Sequence, residues 1–117
     1  MSALYEKHCE TCQLGAPVVT EEQANGLLLS VPAWKREFHD GVEKLKREFH
    51  FVDFKDALNF TYKIATLSEQ ENHHPSILTE WGKVTVCWWT HKISGLHLND
   101  YIMAAKTDMI VKPPIKS

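Results

Sequence analysis

The chain's 117 residues are enough for one domain around a single core and too few for two, so one site is to be sought. Thirteen basic residues against fifteen acidic leave a formal charge of −2, without the basic excess that direct nucleic-acid binding usually brings. A protein that binds DNA-binding proteins needs no such excess, so an adaptor role stays open.

The longest apolar runs, Gly26 to Val31 and Val84 to Trp89, fall far short of the roughly 20 residues that span a bilayer, and no membrane association is expected. Glu6, Lys7, His8 and Glu10 leave no room for the apolar stretch of a secretory signal, so the expected location is cytoplasmic. Three cysteines is an odd count and Cys87 lies in an apolar run, which argues against a disulfide framework. Cys9 and Cys12 form a C-x-x-C with no second pair to complete a structural zinc site, and read as an inert tail motif.

Residues 1–19 lack apolar periodicity and read as a leader that is poorly ordered or lies on the surface; the domain is expected over residues 20–117. Thr20-Glu21-Glu22-Gln23 has the form of a capping box, and a short helix should run from it to about Ser30, where Val31-Pro32 stops it. Trp34 to His39 alternates through Trp34, Arg36 and Phe38, Asp40-Gly41 is a hairpin signal, and Leu45, Phe49 and Phe51 continue at even spacing. Arg47 interrupts that second apolar face, which implies an edge strand or a partly solvated stretch.

Asp53 can cap a second helix, since Phe54 to about Gln70 contains neither Gly nor Pro. Its apolar residues Phe54, Ala57, Leu58, Phe60, Tyr62, Ile64, Ala65 and Leu67 cover an arc of roughly 220°, wider than one sheet contact needs, which implies a second contact with another subunit. A strand over Ser76 to Thr79, a turn at Trp81-Gly82 and a strand over Lys83 to His91 make a second hairpin. Leu98, Tyr101, Ile102, Ala105 and Met109 mark an amphipathic helix ending before Pro113-Pro114. The expected fold is α+β in the order αββαββα, a four-stranded antiparallel sheet with three helices on one face.

Among seven histidines, three stand at element ends, where sites tend to be built: His73 and His74 where the long helix stops, and His91 where a strand gives way to a loop. Imidazole titrates near neutrality, so two that converge can hold an acid and a base together. Zinc is the weaker reading, because adjacent His73 and His74 point about 100° apart on a helix and no HExxH pair is present. Cys87 has no basic sequence neighbour to activate it, and a Gly-rich phosphate loop is missing. Trp88 and Trp89 face opposite ways on a strand, so at least one belongs to the core.

Glu69-x-x-x-His73-His74-Pro75, then Thr90-His91, then Gly95-Leu96-x-x-x-Asp100 followed by Ala104-Ala105, form an ordered set that resembles the pterin-4a-carbinolamine dehydratase family. The likeness runs from about Thr20 to Val111; Leu78 to Val86 and the leader His8-Cys9-Glu10 are similar to its bacterial branch. The resemblance implies a hydro-lyase that dehydrates a 4a-hydroxytetrahydropterin and so recycles the pterin of an aromatic amino-acid hydroxylase, with a functional link to phenylalanine hydroxylase. It implies acid and base roles for His73 and His91, pterin holding by His74, and supporting roles for Glu69, Pro75, Thr90 and Asp100. No metal and no cofactor are expected, the pterin being the substrate, and the assembly is expected to be a homodimer or homotetramer. His97 stands where many members carry Thr or Ser, so a hydroxyl cap is lost and the start of the last helix is open; Lys92 stands where an acidic residue is common. The rival reading is a protein-binding dimerisation cofactor, because animal relatives also serve a homeodomain activator in that way. An adaptor alone would need none of the three histidines.

Overall fold

The structure, a computed structural model, describes residues 4–6 and 19–111. Its elements are α1 (Glu21–Leu28), β1 (Lys35–His39), β2 (Val42–His50), α2 (Phe54–Glu71), β3 (Ser76–Glu80), β4 (Lys83–Trp88) and α3 (Leu98–Val111). The four strands form one antiparallel sheet in the order β1-β2-β4-β3, and the αββαββα order expected from the sequence is the one observed.

Local chemistry explains where the elements begin. Thr20 and Gln23 exchange both bonds of a capping box at α1, and the Asp53 carboxylate accepts the Asp56 amide at the start of α2. Asp40 and Gly41 both have positive φ, as a tight hairpin turn between β1 and β2 requires. Gly82 turns β3 into β4 at φ +73°, and a Cβ there would lie 3.2 Å from the Phe51 carbonyl oxygen. That close approach lets the Phe51 amide donate to the Gly82 carbonyl at 2.8 Å, tying the exit of β2 to the second hairpin.

Strict alternation along β4 buries Val84, Val86 and Trp88 against the helices. With Leu45 and Phe49 of β2 they meet Ala57, Phe60 and Ile64 of α2 and Tyr101, Met103, Ala104 and Ala105 of α3 in one core. Fully buried Trp88 keeps its polar edge satisfied, because its Nε1–H donates to the Thr107 hydroxyl at 3.1 Å.

Four expectations need correction or refinement. β2 is a central strand, not an edge: Arg47 is accommodated on its helix-facing side because its guanidinium donates to the Asp108 carboxylate of α3 at 2.6 Å and lies 4.3 Å from the Phe49 ring centre. Its side chain is 27% exposed, so the partly solvated alternative is the one that describes it. β4 ends at Trp88 rather than His91; Thr90 bridges to Gly95, and His91–Ile93 form a 3-10 turn closed by Ser94 in the left-handed region. α1 ends at Leu28 and gives way to turns through Ser30. Phe38, on the alternating face of β1, is 71% exposed.

Within the leader, Leu4–Glu6 form a 3-10 turn whose Leu4 and Tyr5 pack against the core, and Lys106 Nζ donates to the Tyr5 carbonyl at 2.9 Å. Cys9 and Cys12 lie outside the described residues. The wide arc of α2 divides as follows: Ala57, Phe60 and Ile64 are buried, while Phe54, Leu58 and Tyr62 leave 45%, 51% and 75% of their surface open. No helix among the described residues is long and apolar enough to cross a membrane.

Asp108 also accepts the Trp34 indole N–H at 2.8 Å, yet burial outweighs both donors and pushes its carboxyl above the usual range. A raised carboxyl favours the folded state when protonated, and that contribution is lost as pH rises through its folded value. Arg47→Met should therefore destabilise the fold by roughly 1–3 kcal/mol at pH 7 and by less near pH 4, where the carboxyl needs no cation. Urea midpoints for wild type and variant at the two pH values check this, and an equal loss at both would contradict it.

Candidate active site

The end of α2 decides where the histidines point. Asn72 caps the helix in the left-handed conformation, and both its own amide and that of His73 donate to the Ser68 carbonyl. The chain leaves the helix abruptly there, so His73 turns inward and is 8% exposed, whereas His74 turns outward. His74 Nε2 meets the Glu69 carboxylate at 2.5 Å, a pair whose side chains are 53% and 78% exposed and therefore strongly screened.

His73 lands on Asp100 of α3, with its Nε2 2.7 Å from Oδ1. The other oxygen, Oδ2, accepts the Thr90 hydroxyl at 2.8 Å and the His97 amide at 2.9 Å. Asp100 is fully buried, and these three partners satisfy its carboxyl oxygens there. The His73 ring also lies 5.8 Å from Trp88 at an interplanar angle of 8°, which fixes its plane as well as its hydrogen bond.

The missing hydroxyl cap is replaced by an imidazole. His97 Nδ1 accepts the Asn99 amide at 3.1 Å and Asp100 accepts the His97 amide, while the Asp100 amide donates to the His97 carbonyl at 3.0 Å, so the full box is not formed but the start of α3 at Leu98 is still capped. This requires Nδ1 to be unprotonated. The loss of the hydroxyl and of the full box was legible in the sequence, whereas the imidazole's acceptance of the Asn99 amide was not.

His91 stands in the 3-10 turn after β4, and its Nε2 donates to the His74 carbonyl at 3.3 Å. Antiparallel pairing explains the meeting: Ser76, just after Pro75, is the register partner of Cys87, so the start of β3 and the end of β4 share one end of the sheet. Glu69, His73, His74, Pro75, Thr90, His91 and Asp100 are thus gathered at that end by α2, β3, β4 and α3. Two groups that sequence reasoning left out of the site also belong there: Trp89, whose ring centre is 4.4 Å from that of His91, and Lys44, whose Nζ is 4.0 Å from the Trp89 centre.

Nearby alternatives are poor proton carriers at neutral pH. Burial pushes the Tyr101 hydroxyl up to about 12, and burial likewise raises the Cys87 thiol. Among the described residues no group of three or more His, Cys, Asp or Glu is placed to hold a metal ion, consistent with His73 and His74 diverging. The arrangement holds a carboxylate-anchored imidazole, His73, and an exposed imidazole, His91, bonded to the backbone carbonyl of the next residue along from His73; imidazoles are groups of the kind that serve acid and base catalysis.

The chain as a whole is similar to known proteins. The crystal structure of a transcriptional coactivator/pterin dehydratase from Brucella melitensis superposes with a TM-score of 0.73 at 32% identity, over 80% of this chain and 98% of that one. The family model for pterin 4 alpha carbinolamine dehydratase matches residues 17–110, which include every one of the gathered side chains. The chain therefore belongs to the pterin-4a-carbinolamine dehydratase family.

Proposed function

We propose that the chain dehydrates a 4a-hydroxytetrahydropterin to the quinonoid dihydropterin, with His73 and His91 as the proton-transferring pair. The observation that carries this reading is the buried Asp100, which grips His73 Nε2 and holds Thr90 beside His91. Elimination needs one proton delivered to the hydroxyl leaving C4a and one taken from N5, so that water departs and the ring gains a double bond. A carboxylate on Nε2 favours the tautomer with hydrogen there and leaves Nδ1 a lone pair, which suits His73 to accept the N5 proton. Exposed His91 can then protonate the departing hydroxyl and recover its proton from solvent. His74, turned outward and steadied by Glu69, is suited to hold the pterin rather than to transfer protons.

The physiological setting of this reading is recycling of the pterin used by an aromatic amino-acid hydroxylase such as phenylalanine hydroxylase, in the cytoplasm. The reaction needs no metal or added cofactor, because imidazoles supply both proton transfers. The assembly is a homodimer or homotetramer, since Phe54, Leu58 and Tyr62 form an open apolar stripe along α2 that another copy can cover. The same stripe favours a second reading, a protein-binding dimerisation cofactor, and the Brucella melitensis protein is described as a transcriptional coactivator as well as a pterin dehydratase.

Stopped-flow absorbance with freshly generated carbinolamine, corrected for the spontaneous reaction, tests the chemistry. His73→Ala and His91→Ala should each lower the catalysed rate by roughly 10- to 1000-fold, and the double variant should lose less than the product because both serve one elimination. His74→Ala should mainly raise KM. Wild-type turnover in both single variants would move the protein-binding reading ahead. Dialysis against a chelator should leave the rate unchanged, whereas loss restored by zinc would refute metal-free catalysis. Light scattering at micromolar concentration should give an oligomer, and Leu58→Glu with Tyr62→Glu should shift it towards monomer; a wild-type monomer would overturn the assembly.

A further inference from the structure

We propose that Trp89, itself held by Lys44, is the positioning residue that fixes the ring of His91; the consequence for rate rests on the acid-base reading above. Trp89 follows β4 directly, and the alternation that sends Trp88 into the core sends Trp89 to the helix-free side of the sheet. Leu45 is the register partner of Trp88, which brings the preceding residue of β2, Lys44, alongside Trp89. The ammonium lies 4.0 Å from the indole centre, within cation-π range, and the indole is half-buried against the margin of the core. Its orientation is therefore set before any substrate arrives.

His91 needs such a support. It sits on an exposed 3-10 turn, and the bond from its Nε2 to the His74 carbonyl is long at 3.3 Å. A single long hydrogen bond leaves the ring able to turn about χ2, and a proton donor that turns is aligned with its target only part of the time. The Trp89 ring, 4.4 Å away and tilted by 38°, restricts that rotation from one side. Lys44, Trp89 and His91 form a column at the end of the β2–β4 ladder. His73 is fixed by Asp100 and Trp88, and His91 by Trp89 and the His74 carbonyl, so each imidazole has one ring neighbour and one oxygen partner.

The test combines a signature of the stack with kinetics on the full chain. In wild type the His91 ring protons should resonate upfield through the indole ring current; Trp89→Leu should move them downfield, and Trp89→Phe should restore part of the shift. In the same variants kcat should fall roughly three- to tenfold for Trp89→Leu with KM nearly unchanged, the span that one ring pair can hold, and recover in Trp89→Phe. Lys44→Met, a change on the helix-free face of the sheet, should give a smaller drop in kcat in the same direction. An unshifted His91 resonance in Trp89→Leu overturns the proposal. So does wild-type kcat in Trp89→Leu and Lys44→Met when His91→Ala is impaired. Wild-type turnover in His91→Ala would sink the acid-base reading and this consequence together, and the two failures are told apart by that one variant.

Discussion

A carboxyl group with no exposed surface is costly unless its oxygens are hydrogen-bonded, and Asp100 meets that demand with groups from three places in the chain. His73 comes from the exit of α2, Thr90 from the segment after β4, and the His97 amide from the residue just before α3. Satisfying one buried carboxyl group thus sets the mutual position of three element ends. Removing any donor would leave part of the carboxylate unpaired in the interior, so the same bonds that orient His73 also hold the fold closed there.

The sheet supplies the rest of the geometry. Antiparallel pairing puts the beginning of β3 and the end of β4 at one end, where the chain is free of ladder hydrogen bonds and can turn side chains toward a ligand. Trp88 links this end to the core: its face lies against the His73 ring and its N–H reaches Thr107 on α3. This end of the sheet is consequently built on a strand and two helix termini, which fix the plane and the hydrogen bond of the His73 imidazole.

Much of this was legible in the sequence because its signals are local. Thr20 to Gln23, Asp53 and Asp40-Gly41 announce caps and a turn through chemistry contained in four residues or fewer, and the structure uses each as written. The ordered histidine blocks pointed to the family that the comparisons establish. What was not legible depends on partners distant in sequence. Arg47 left an edge strand and a partly solvated stretch both open, because the acceptor that settles its place, Asp108, lies 61 positions away on α3. The column of Lys44, Trp89 and His91 depends on strand register, which no single segment declares. At His97 the sequence showed the loss of a hydroxyl cap but not that the imidazole Nδ1 would accept the Asn99 amide.

The central claim is that the pterin is received at the end of the sheet where His73, His74 and His91 meet. Titrating the histidine-labelled protein with a stable dihydropterin, while following the ring nitrogens and carbons by NMR, tests that placement without relying on turnover. The account predicts saturable shifts for His73, His74 and His91, with His39 and His50 of the first hairpin unmoved. Shifts confined to His39 or His50, or no saturable shift at His73 and His91, would contradict it.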